Sequence, residues 1–165
     1  MSTDAAPLPE GGFDGPSAFR AALQQALAAA AGHHSRELVL SDRDFADWPL
    51  GDRATVEALQ AWSASGRSFV LLAQRFKVFE AHHARFVQWR QMWSHIVDCR
   101  VCSGSGAPEV PSAIWTPAWF LHRIDPDRSR GVVGTDPASR RALREQLDEC
   151  LRHGRPGFPA STLGL

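Results

Sequence analysis

The stretch from Glu37 to Cys102 constrains the fold most, because apolar runs of strand length alternate there with segments of helical period. Glu37-Leu38-Val39-Leu40-Ser41, Arg67 to Ala73 (RSFVLLA) and His95 to Cys102 (HIVDCRVC) are short apolar runs with β-branched content and read as strands. Between the first two, Asp52 to Ala64 puts Val56, Leu59 and Trp62 on one helical face and meets a stop at Gly66. Between the second and third, Phe79 to Ser94 predicts one long helix, with Phe79, Phe86, Trp89, Trp93 and Ile96 at helical spacing. This alternation predicts a βαβαβ core with right-handed crossovers. The expected class is α/β, with a mostly parallel central sheet flanked by helices.

Residues 165 in number suit one domain. The expected division is a disordered tail over 1–14, a single α/β domain over 15–154 and a flexible Pro/Gly-rich tail over 155–165. Lys+Arg and Asp+Glu both number 18, so the charge balance demands neither nucleic acid nor an anionic membrane. Lys77 is the only lysine, a bias that reads as a high-GC bacterial genome rather than as a phosphate-binding surface. No apolar run approaches the ~18 residues of a membrane span, since Arg20, Gln24 and Gln25 interrupt the alanine-rich segment Ala18 to Ala31. The first residues, MSTDAAPLPEGG, lack the basic and apolar regions of a secretory signal, and the cysteines number three. A reduced, cytoplasmic setting without membrane contact is expected.

Several residues invite a chemical reading. Gly15-Pro16-Ser17 opens a helix that ends at Gly32, and the pair His33-His34 after it reads as a solvated turn rather than a metal site. Ser41 to Pro49 carries Asp42, Asp44 and Asp47 in a loop at the carboxyl end of the sheet, where α/β ligand sites form. Such carboxylates can hold an ion or act as a base; turn formation and capping is the plainer use, and Asp52 is expected to cap the next helix. His82, His83, Arg85, Arg90 and His95 interleave with aromatics, a mixture that can hold single-stranded nucleic acid. The aromatics fall on one stripe, however, and are read as core. Cys99-Arg-Val-Cys102 matches C-x-x-C, but residues i and i+3 of a strand point to opposite faces. Cys150 and His153 are the obvious completion of four ligands, and buried structural thiols are expected instead of a metal.

Beyond a linker at Ser103 to Pro108, Ala113 to Ile124 reads as two strands broken at Pro117, and Trp119 to Gly134 as a hairpin turning at Asp125-Pro126-Asp127. Asp136-Pro137 starts a last helix with the stripe Leu143, Leu147, Cys150, Leu151 and a stop at Gly154. This order, over roughly Arg36 to His153, resembles a single half of the phospholipase D-like fold. In that superfamily the hairpin carries H-x-K-x-x-x-x-D and then Gly-Ser or Gly-Thr, its histidine the nucleophile and its lysine the phosphate holder. The best registration sets Asp125 on the aspartate and Gly134-Thr135 on the glycine pair, which leaves Ala118 and Phe120 at the histidine and lysine positions.

The resemblance therefore implies a degenerate, non-catalytic half, as in bacterial proteins where the motif has decayed. The function expected is a binding or scaffolding domain for a partner protein or a phosphate-bearing ligand, with Asp42, Asp44, His122 and Arg123 as ligand-binding candidates and no cofactor or metal. Two alternatives stand beside it. One is a phosphodiesterase or nuclease using His122, Arg123 and Asp125; the other is a nucleic-acid-binding module using helix arginines, among them Arg140, Arg141 and Arg144, although the primary reading does not favour nucleic acid. Self-association is also expected, through an outward-facing aromatic among Trp115, Trp119 and Phe120.

Overall fold

The computed structural model describes residues 7–158, and they build an eight-stranded mixed sheet with helices on both faces. In chain order the elements are β1 (Gly11–Asp14), α1 (Pro16–Gly32), β2 (Glu37–Ser41), α2 (Arg53–Ser63), β3 (Ser68–Ala73), α3 (Phe79–His82) and α4 (Ala84–Met92). Then follow β4 (Val97–Val101), β5 (Ser112–Trp115), β6 (Phe120–Asp125), β7 (Arg130–Gly134), α5 (Pro137–His153) and β8 (Arg155–Pro156). Across the sheet the strands run β1-β7-β6-β5-β2-β3-β4-β8.

Only the pairs β2–β3 and β3–β4 are parallel; the other five pairings are antiparallel. The sheet is thus mostly antiparallel, which corrects the expectation of a mostly parallel one. Parallel neighbours need crossover helices, and the chain supplies them only between residues 37 and 101. After β4 it passes to the far edge of β2 and returns through β5, β6 and β7 with tight connections, which can only make antiparallel pairs. Both sheet edges come from segments expected to be tails: β1 pairs with β7, and β8 pairs with β4. The outer parts of those tails, 1–6 and 159–165, lie outside the described residues.

Two apolar cores sandwich the sheet. On one face Leu23 and Leu27 of α1, Leu59 and Trp62 of α2, Phe79 of α3 and Phe86 and Trp89 of α4 pack on Leu38, Leu40, Phe69 and Leu71. On the other, α5 stands as the one helix among the described residues and sets Leu143, Leu147 and Cys150 on Val39, Leu72, Ala113 and Phe120. Period-two alternation of the buried strands divides these sets, so each central strand is apolar on both faces. The long helix expected over 79–94 breaks at His83 (φ −128°, ψ 43°), whose buried ring is tied to the carbonyl of Phe45, 2.8 Å from Nε2. A single helix would carry that ring elsewhere.

Candidate binding site

β6 divides the candidate residues between the two faces of the sheet. His122 is paired with Ala113 of β5 and Val132 of β7, and lies with them on the α5 side. Arg123, one residue on, is paired with Ser112 and points to the opposite face, as strand alternation requires. The two residues, candidates for one joint site, therefore face different environments.

Arg123 is 3% exposed and sits at the centre of a buried polar hub. Its Nη2 donates to Asp42 Oδ1 at 3.1 Å and to Asp47 Oδ1 at 3.2 Å, its Nη1 to Asp47 Oδ2 at 2.6 Å and Ser129 Oγ at 3.3 Å, and its Nε to Ser112 Oγ at 3.0 Å. The guanidinium stacks 4.0 Å from the ring centroid of Phe19 in α1. Burial works against its charge, but the hydrogen bonds it donates to Asp47 and the field of Asp42 outweigh it and raise its pKa. All five N–H donors are thus engaged, with the planar fork used against two carboxylates. The hub fastens the 42–47 loop and the β6–β7 turn onto α1.

Asp42 completes its own valences in the same place. Its Oδ2 accepts the backbone N–H of Phe45 at 2.8 Å and of Asp44 at 3.2 Å, the local turn pattern of aspartate. Asp44 accepts from the N–H of Ala46 and lies 3.6 Å from Arg75. Asp52, the expected helix cap, makes no side-chain cap bond; it accepts from Gln24 and pairs with Arg20. Asp125 lies in the hairpin turn, where a hydrogen bond from Arg128 holds its pKa below the usual carboxylate value. It is thus drawn into the turn rather than into a site with His122. Of the registration positions, Ala118 lies in the β5–β6 turn, its N–H bonded to Thr116 Oγ1, and Phe120 is in the α5-side core.

The open feature of the molecule is on the His122 side. A groove of about 780 Å³ runs between the flank of α5 and the β5–β6 strands, with the loop ahead of β5 along its other wall. Ala142, Glu145, Gln146 and Glu149 line it from α5; at i, i+3, i+4 and i+7 they form one helical stripe. Glu109 stands on the opposite loop, and Ser112, His122, Arg123 and Ile124 contribute from the sheet, although the Arg123 guanidinium itself is turned to the α1 face. A smaller pocket of about 220 Å³ shares His122, Ile124, Ala142 and Gln146 and carries the surface on over Phe120 and Val132. Ile124 is 64% exposed, one of two large apolar side chains so placed among the described residues. His122 is half-buried without a hydrogen-bond partner among them, and burial lowers its pKa. Glu109 and Glu145 form no ion pair among the described residues; Glu149 pairs with Arg152 and His153.

A second surface is basic. Trp115, half-buried, donates from Nε1 to the carbonyl of Arg140, and Arg144 lies 4.7 Å from its ring centroid. Arg140, Arg141 and Arg144 line a shallow pocket there. Arg144 is neutralised by Glu37 and Asp148, and Arg140 bonds carbonyls of Pro117 and Thr135. On the other helix, Arg90 is buried and bonds Phe158, while Arg85 bonds Gly51; the aromatics between them, Phe86 and Trp89, are core. Trp119 and Phe120 are buried as well, which leaves Trp115 as the half-buried member of the three aromatics expected to include an outward-facing one. The cysteines divide in the same way: Cys99 packs in the first core, whereas Cys102 packs in the second beside Cys150.

Sequence reasoning reached Asp42, Asp44, His122 and Arg123 but not the partners Phe19, Ser112 and Ser129, which come from α1, from β5 and from the β6–β7 turn. It also passed over Glu145 and Glu149, although two like charges at i, i+4 on one helix were visible.

No protein-family model matches the chain, and no curated protein matches it. Among solved structures, the chain is similar to TrmBL2, an archaeal chromatin protein whose structure is described as showing a novel mode of DNA binding. The TM-score is 0.62 at 10% identity, over 89% of this chain and 54% of that one. At that identity the likeness concerns the fold, and this chain spans about half the length of the neighbour. No helix among the described residues is long and apolar enough to cross a membrane.

Proposed function

We propose that this chain is a non-catalytic binding domain whose ligand surface is the groove between α5 and β6. The observation that carries the reading is the division of labour on β6: the Arg123 guanidinium is consumed in a structural hub, while its neighbour His122 opens onto a large groove whose other charged side chains are the carboxylates Glu109, Glu145 and Glu149. Phosphoryl chemistry needs a nucleophile and a cation held together at the reacting phosphate. Here the buried guanidinium is on one face of the sheet and the imidazole on the other. The phospholipase D-like resemblance joins this reading only through its empty positions, Ala118 and Phe120. The test is turnover of bis-p-nitrophenyl phosphate with and without divalent metal. No turnover above buffer is expected, and activity that disappears in a His122→Ala variant would install the phosphodiesterase reading instead.

A second reading, nucleic-acid binding, is favoured by one observation: the structural neighbour is a DNA-binding chromatin protein. That likeness gives it more support than the scaffold reading receives from any comparison. Its surface on this chain would be the basic end at Trp115, Arg140 and Arg141, since the groove itself is acidic. Fluorescence anisotropy of a labelled 20-base-pair duplex decides it. Binding that weakens steeply with salt and is lost in an Arg140→Glu/Arg141→Glu variant supports this reading; duplex affinity indifferent to both removes it.

A further inference from the structure

We propose that the groove seats a basic amphipathic helix from a partner protein, laid alongside α5; this deepens the binding-domain reading and rests on it. The first ground is the asymmetry of the two layers. Among the described residues, one face of the sheet is covered by helices α1, α2, α3 and α4 and the other by α5, so β6 and β7 present His122, Ile124 and Val132 beside α5 without a described helix of their own. A sheet face buries its apolar side most readily against another helix. The strip is bounded by α5 on one side and runs on over Phe120 and Val132 toward β7.

The second ground is charge complementarity. Along the wall that such a helix would touch, α5 sets out Glu145 and Glu149, one turn apart, and Glu109 faces them from the loop. Glu109 and Glu145 are without a cationic partner among the described residues. The floor is apolar at Ile124, Phe120 and Val132, and Val110 adds an apolar side chain from the loop wall. An occupant therefore needs two or more Arg or Lys residues at helical spacing toward α5 and an apolar stripe toward Ile124. The chain's own outer segments, 1–6 and 159–165, contain no Arg or Lys, so they do not meet this requirement. A phosphate backbone would meet three carboxylates and is disfavoured there.

The experiment is a selection of 16-residue peptides from a random library on the full chain, with counter-selection on a Glu145→Lys/Glu149→Lys variant. The expected winners carry Arg or Lys at i, i+4 with Leu or Phe on the adjoining stripe, become helical when bound, lose at least tenfold in affinity to the charge-reversed variant, and lose at least fivefold to Ile124→Ser. Swapping the cations of the best peptide for Glu should restore binding to the reversed protein, a rescue that misfolding cannot mimic. Winners that are acidic or neutral, or that bind both Glu145→Lys/Glu149→Lys and Ile124→Ser unchanged, overturn the groove assignment while leaving a binding domain in place. Displacement of the peptide by a 20-base-pair duplex makes the groove a nucleic-acid site and overturns it too. Absence of any selected peptide counts against both this inference and the binding-domain reading.

Discussion

Arg123 of β6 and Asp42, in the loop that follows β2, meet at 3.1 Å although 81 residues apart in sequence, each side chain no more than 4% exposed. Such a pair is costly to break because the survivor is left charged in an apolar setting. Arg123→Met is therefore expected to destabilise the fold by about 3–5 kcal/mol, the range for stripping one partner from a buried ion pair. Arg123→Lys recovers little, since an ammonium cannot fork onto Asp42 and Asp47 while covering Phe19. Urea unfolding curves of the three proteins measure this directly.

The adjoining residue gives the control. Ile124→Ser removes an exposed side chain and should change stability by no more than about 0.5 kcal/mol, whereas Leu121→Ala, fully buried on the same strand, should cost about 2–5 kcal/mol. Equal effects at the two positions would mean that the groove floor is covered in the isolated chain.

Acid should weaken the fold through His83. Burial lowers its pKa, against opposing hydrogen bonds to the backbone of Phe45 and His82 and the field of Asp52, with the charge of His82 adding to the lowering. A histidine in the unfolded chain titrates near ~6.5, so the stabilising contribution is complete above that pH. As pH falls from there through the lower folded value, the unfolded chain takes up a proton first and stability declines. His122 shifts in the same direction and adds to the slope. Melting temperatures recorded from pH 7.5 to pH 5 should fall, and less so in a His83→Asn variant.

The thiols should be silent in the native state. Burial pushes Cys99 up to about 11, with the guanidinium of Arg90 opposing it, and pushes Cys150 up to about 12, with Cys102 reinforcing it. A thiol so shifted carries almost no thiolate at neutral pH and reacts slowly. Ellman's reagent is expected to find none of the three cysteines within minutes in buffer and all three in denaturant.

Much of this fold was legible in local pattern. The strands at Glu37–Ser41 and Ser68–Ala73, the hairpin around Asp125 and the capped helix from Pro137 carry periodicities or turn residues that act within a few positions. The sheet's overall direction was not, because the antiparallel half depends on where the chain lands after β4, and no residue of the 103–111 linker encodes that. The edge strands escaped notice for a related reason: Gly11–Asp14 has no apolar alternation and is held by β7, not by its own propensity. At the site, the place of Arg123 in a buried hub follows from one step of strand register. His122 and Arg123 look equivalent in sequence, and only the pairing of β6 with Ser112 and Ala113 tells their faces apart.

A close approach on the neighbouring strand offers another check of that register. A Cβ at Gly131 would collide with the carbonyl oxygen of His122 and stand 2.7 Å from Cα of Arg123. Both are backbone atoms, so Gly131→Ala must force β6 and β7 apart. A large loss of melting temperature is expected, with the Arg123 hub the first region to lose amide protection.

The surface that the protein uses is tested most directly by amide chemical shifts of the isotopically labelled chain, titrated in parallel with an Arg-bearing amphipathic peptide and with a duplex oligonucleotide. The account predicts peptide-induced shifts concentrated at Phe120 to Ile124, Val132 and Ala142 to Glu149, with the duplex leaving those amides still. Shifts from the peptide that avoid this groove, or from the duplex that concentrate in it, would contradict the account.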